Sequence, residues 1–113
     1  MKEVKGVKVM TMRVDDTEMN ELRNIGDNLK NEIGEGVVFI VSASQGRVNL
    51  LAMATDGAIA KGAHAGNLIK QLAPIVAGGG GGRPNMAQAG GKDPSKIDEC
   101  LESVIGAVEA QIG

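Results

Sequence analysis

Residues 37–55 read VVFIVSASQGRVNLLAMAT. The first eight, VVFIVSAS, form a continuous apolar run of strand length, as expected for a central strand covered on both faces. After a turn at Gly46 the chain resumes with RVNLLAMAT, so the segment reads as a β-hairpin with a short loop. A hairpin demands at least one antiparallel pair. Upstream, VKVMTMRV (7–14) is rich in β-formers and partly alternating, which predicts a strand. Met19, Leu22, Ile25, Leu29 and Ile33 then recur at helical spacing, with Asp15/Asp16 read as first-turn acids and Gly34 as the stop.

Downstream, Leu68, Leu72, Ile75 and Val76 share one helical face between His64 and Val76, and Pro74 should kink or end that helix. A short MAQA (86–89) suits an edge strand. Asp93 is a good N-cap with Pro94 at the first helical position, ahead of a stripe of Ile97, Leu101, Val104, Ile105, Val108 and Ile112. The order is β-α-β-β-α-(β)-α. An α/β (α+β) fold follows, a mixed sheet with helices packed on it, in one domain spanning 1–113 and without internal repeats.

Composition narrows the function. The chain is 42% hydrophobic and 23% charged, ordinary for a globular protein, yet Phe39 is its only aromatic residue. Base stacking on aromatic platforms is therefore nearly excluded, and Met10, Met12, Met19, Met53 and Met86 read as core fillers. One cysteine, Cys100, and one histidine, His64, cannot supply a tetrahedral zinc site or an internal disulfide. Cys100 sits beside the apolar stripe and reads as a buried, inert thiol, while His64 reads as a surface or capping residue. No apolar run reaches the ~18 residues of a membrane span, and Met1 is followed by Lys2 and Glu3, so the expected location is cytoplasmic.

Net charge is −2, but it is segregated. Residues 1–46 carry six Lys/Arg and eight Asp/Glu, residues 47–96 six and two, and residues 97–113 none and four. The basic block contains GGGGGRPNMAQAGGKDPS (78–95), with seven glycines in eighteen residues. Neither GxGxxG nor GxxxxGK[ST] occurs, which disfavours a dinucleotide fold or a P-loop. What remains is a run of amides without side chains over them, beside Arg83, followed by Gly90 and Gly91 leading through Lys92 into a helix N-terminus. Such groups can hold phosphate oxygens. The same glycines also suit a flexible connector, or a place where two backbones cross. A β-branched residue at Gly81 would separate a slack linker from a strained one.

GGGGGRPNMAQAGG, preceded by AHAGNLIKQLA and followed by KDPSKIDECLESV, resembles the C-terminal globular domain of alanyl-tRNA synthetases, the DHHA1 type. The resemblance runs from about Gly46 to the last helix, with two departures: Gly79 stands where members commonly carry lysine, and Asn85 where they commonly carry aspartate. It implies a DHHA1-like fold that binds the elbow of tRNA(Ala), with Gly78, Gly79, Gly80, Gly81, Gly82, Arg83, Gly90, Gly91, Lys92 and Lys96 as the RNA-binding residues. It also implies that this chain is a non-catalytic fragment. The parent would use ATP, magnesium and zinc in separate aminoacylating and editing domains of the same polypeptide, with a possible homodimer and no membrane or DNA partner. Two other readings stay open: the nucleic-acid-gripping domain of a DHH phosphoesterase, in which a histidine typically accompanies the glycines, and a structural oligomerisation module.

Overall fold

The computed structural model describes residues 2–112. Strand β3, Gly36–Ser44, is its spine, buried without interruption from Gly36 to Ser42. It pairs antiparallel with β4, Arg47–Ala54, from Val37↔Ala54 to Ser44↔Arg47. Gln45 and Gly46 are left as the turn, at φ 50° and 79°, the doubly positive geometry that matches the twist of a two-residue hairpin. On the other side β2, Val7–Asp15, lies parallel to β3 from Lys8↔Gly36 to Asp15↔Ala43. A parallel pair needs a crossover, and helix α1, Met19–Ile33, supplies it.

Helix α1 starts after Glu18, and Gly34 stops it at φ 76°. Asp15 and Asp16 are not in its first turn, contrary to the sequence reading. Asp15 closes β2, while Asp16 turns the chain at φ 51° and donates its N–H to the carbonyl of Ala43 at 2.8 Å. The chain begins with an unanticipated strand, β1, Lys2–Val4, folded back on β2 through Lys5 and Gly6. A single turn, α2, Asp56–Ala60, was likewise not foreseen; its cap Thr55 accepts from Gly36 N at 2.9 Å and Ala58 N at 3.3 Å, tying it to β3.

Helix α3, Ala65–Leu72, is capped by His64, whose Nδ1 accepts from Asn67 N at 3.0 Å. It tightens into a 3₁₀ turn over Ala73–Val76, as Pro74 requires. The glycines themselves form a strand, β5, Gly79–Gly82, antiparallel to β6, Met86–Gly91. Because β6 also pairs with β4, MAQA is an interior strand, contrary to the edge position expected for it, and the edge is the glycine strand. Asp93 accepts from Ser95 N and heads a 3₁₀ turn, Pro94–Lys96, that leads into α4, Ile97–Ile112. The sheet order is β1-β2-β3-β4-β6-β5, mixed as expected.

Two apolar layers flank the sheet. Alternation along β3 sends Val37, Phe39 and Val41 towards α3 and α4, where they meet Leu68, Leu72, Ile97, Cys100, Val104 and Val108. Leu101, Ile105 and Ile112 pack on the rim of that layer. Burial holds the Cys100 thiol pKa at about 11, so the group is neutral and inert at ordinary pH. Val38 and Ile40 point the other way, onto Leu22 and Ile33 of α1, with Leu51 and Met53 beside them. Met10, Met12, Met19, Met53 and Met86 all belong to this second layer, where flexible thioether chains fill space that aromatic rings would otherwise take.

The α1 side of the sheet changes character along its strands. One cross-strand row reads Met10–Val38–Met53–Met86, and the next Met12–Ile40–Leu51–Gln88. The third reads Val14–Ser42–Asn49–Gly90–Gly79, polar or side-chain-free from β3 onward. Helix α1 packs chiefly on β3 and β4, so the β6–β5 end of this face is left for something else to use.

Candidate functional site

Alternation explains the glycine strand. A Cβ at Gly80 would stand 2.5 Å from the Cβ of Ala89, and one at Gly82 would stand 2.7 Å from the Cα of Ala87. At Gly78 it would strike the carbonyl oxygen of Gly90. Gly79 has nothing within 4 Å, and the nearest atom to a Cβ at Gly81 is the Cε of Lys70 at 3.4 Å. None of Gly78–Gly82 has positive φ. The run therefore serves close approach of β5 to β6, and it is neither a slack linker nor a left-handed turn.

The backbone amides are less available than the sequence suggests. Lys92 N and Asp93 N both donate to the carbonyl of Val76, at 2.8 and 3.0 Å, and Ser95 N is taken by Asp93. At the start of α3, Ala65 N and Gly66 N donate to the carbonyls of Pro84 and Arg83, at 2.8 and 3.1 Å. The start of α3 thus braces the turn of the glycine hairpin, and the amides leading into α4 are spent on Val76 and Asp93, so neither helix start presents these groups as an anion site.

Side chains supply what the amides do not. A groove of about 460 Å³ at the turn end of the hairpin is lined by Arg23, Asp27 and Lys30 of α1 together with Gly81, Gly82, Arg83 and Gln88. A second, of about 550 Å³ at the open end, is lined by Arg47 and Asn49 of β4 together with Gly78, Gly79, Gly90, Gly91 and Lys92. Ala87 and Gly91 lie four residue steps apart along β6, which sets the two ends roughly 13 Å apart. Five cations and one carboxylate line the two grooves of a chain whose net charge is −2. Among the described residues the ion pairs are Arg13–Asp98 and Lys61–Glu35, and neither involves a groove cation. Gly80 and Lys96 line neither groove.

The DHHA1 domain model matches residues 6–110. The chain belongs to the DHHA1 family. This DHHA1 domain is 64% identical over 110 residues, 97% of its length, to alanine–tRNA ligase 1 of Lachnoclostridium phytofermentans, of which it spans only 12%. Its fold matches the crystal structure of the C-Ala domain from Aquifex aeolicus alanyl-tRNA synthetase with a TM-score of 0.87 and 29% identity, covering 96% of each chain. It also matches a DHH-domain protein described as a member of the S1p family of ribosomal proteins, with a TM-score of 0.64 over 96% of this chain and 27% of that one. At 20% identity that likeness shows the fold alone.

Three residues that the sequence reading passed over, Arg23, Lys30 and Arg47, carry much of the DHHA1 domain's groove charge. Arg23 had a local signal, since it sits beside the apolar stripe of α1 where a solvent-facing side chain was not required. Arg47 looked like an ordinary turn residue, and only the β4–β6 pairing brings it to Lys92. Among the described residues no three His, Cys, Asp or Glu side chains lie together as metal ligands would, and no helix is long and apolar enough to cross a membrane.

Proposed function

We propose that this DHHA1 domain is the tRNA-binding C-terminal domain of an alanine–tRNA ligase, and that it holds the elbow of tRNA(Ala) against the glycine hairpin. One observation carries the reading: cations distant in sequence gather at both ends of one strand pair, at the β6–β5 end of the sheet face that α1 covers only over β3 and β4. Phosphates spaced along folded RNA can engage Arg47 and Lys92 at one end, and Arg83 and Lys30 at the other. Between them Gly79 and Gly90 let the sugar-phosphate chain approach the sheet closely. With Phe39 buried and no other aromatic residue present, recognition rests on shape and backbone, as is usual for structured RNA. On this reading the domain holds tRNA without converting it. ATP, magnesium and zinc belong to the aminoacylating and editing domains of the parent protein, whose tRNA-dependent steps depend on the grip described here.

The test is a titration of the chain with folded tRNA(Ala) at several salt concentrations. Arg47→Ala, Arg83→Ala and Lys92→Ala should each weaken binding and flatten the salt dependence by about 0.7–0.9 in the log–log slope, one phosphate contact apiece. All three residues are exposed, so stability should change by no more than about 0.5 kcal/mol. An affinity indifferent to salt, or variants that bind like the parent chain, would remove the phosphate contacts from the account.

A further inference from the structure

Arg23 projects from α1 to β6, where its Nε and Nη2 both donate to Oε1 of Gln88, at 3.3 and 3.0 Å. Two donors on one oxygen fix the amide: its carbonyl faces the guanidinium, and its Nε2 faces away. Among the described residues neither Gln88 Nε2 nor Arg23 Nη1 makes another hydrogen bond. Both side chains line the groove at the turn end of the hairpin and both are part-buried, so they are held in place before any ligand arrives. Lys30 and Arg83 add two further donor groups to the same groove, against the single carboxylate of Asp27.

We infer that Arg23 and Gln88 form a donor fork that seats an acceptor edge of the bound RNA in this groove, a specificity element within the tRNA-binding face. The inference rests on the RNA reading above. The edge consists of oxygen or nitrogen acceptors without hydrogens of their own, as offered by the non-bridging oxygens of a phosphate or by the O6/N7 side of a guanine. The fork refuses edges that present N–H or O–H, because its one acceptor, Gln88 Oε1, is already occupied by Arg23.

Gln88→Glu and Gln88→Met in this chain, titrated with folded tRNA(Ala), test the fork. The glutamate keeps Arg23's partner, and as an ion pair holds it more firmly, while it replaces the outward donor with a repelling oxygen. The methionine keeps the bulk and removes the donor without adding charge. Gln88→Met should weaken binding about tenfold, the loss of one hydrogen bond to a charged or strongly accepting group. Gln88→Glu should weaken it further, with a melting temperature no lower than that of the parent chain. Ala110→Glu, exposed on α4 across the sheet, adds the same charge and should cost at most about twofold. Arg23→Met distinguishes the occupants: a salt slope lower by about 0.7–0.9 places a phosphate in the fork, and an unchanged slope with a similar loss places a base edge there. Gln88 variants that bind like the parent chain, or a Gln88→Glu loss no greater than that of Ala110→Glu, would overturn the fork alone. Failure of the unmodified chain to bind folded tRNA would overturn the RNA reading and the fork with it.

Discussion

Gly80→Ala should lower the melting temperature of this domain by about 10 °C, while Gly79→Ala, one residue away in the same strand, should leave it unchanged or slightly raised. A methyl group at Gly80 meets the Cβ of Ala89 at 2.5 Å, and its other neighbours are backbone atoms of Gln88 and Ala89 that cannot swing aside. The edge strand must then separate from β6, with a cost of about 2–3 kcal/mol for overpacking, or roughly 4 °C per kcal/mol in a domain of this size. At Gly79 nothing lies within 4 Å and φ is not positive, so alanine only restricts the unfolded chain, a gain of about 0.4–1 kcal/mol. Gly81, the position that the sequence first suggested for such a test, is a poor one. Its added Cβ would meet only the flexible stem of Lys70. Thermal unfolding of the Gly79 and Gly80 variants reads the period-two pattern directly, and equal losses at both positions would rule out the close β5–β6 approach.

In the parent synthetase proposed above, deletion of this domain should reduce tRNA charging and hydrolysis of mischarged tRNA by about a hundredfold, with ATP-dependent activation of alanine nearly unchanged. Activation uses small molecules only. The other two reactions need the acceptor end of tRNA placed at a chemical centre far from the elbow, and binding energy spent at the elbow can fix that placement. A misplacement on the scale of 1 Å already accounts for about a hundredfold in rate. Alanine-dependent pyrophosphate exchange is the internal control. A uniform fall in all three reactions would mean that the domain supports the fold or the assembly of the enzyme, and not the positioning of tRNA.

Periodicity carried much of the fold. The apolar run at 37–44 and the turn at Gly46 defined the central hairpin, because a strand buried on both faces is apolar throughout, and the spacing from Met19 to Ile33 defined α1, because a helix packed on one side keeps its apolar residues on one face. The glycine strand has no side chains to alternate. Its period of two is written in contacts with β6, which is why GGGGG resembled a loop and MAQA an edge. Lys2–Val4 and Asp56–Ala60 are too short to show a pattern. Asp15 and Asp16 suited a helix start by type, but the last bonds of the parallel β2–β3 ladder claimed them first. The candidate site was half legible. Arg83, Lys92 and their glycines announced themselves by composition, whereas Arg23 reaches its groove through a contact with Gln88, 65 residues away, and Arg47 through the β4–β6 ladder that begins beside it with Val48↔Gly91 and Asn49↔Gly90, 43 and 41 residues apart.

The central claim is that folded tRNA lies on the open face of the glycine hairpin, gripped at both ends by cations. Backbone amide chemical shifts of the chain, followed as folded tRNA(Ala) is added, test it most directly. The account predicts shifts at Gly79, Arg83, Gln88, Gly90 and Lys92, and at Arg23 and Arg47 on the flanking elements, with α4 and β1 undisturbed. Shifts confined to α4 or β1, with the glycine amides silent, would contradict it.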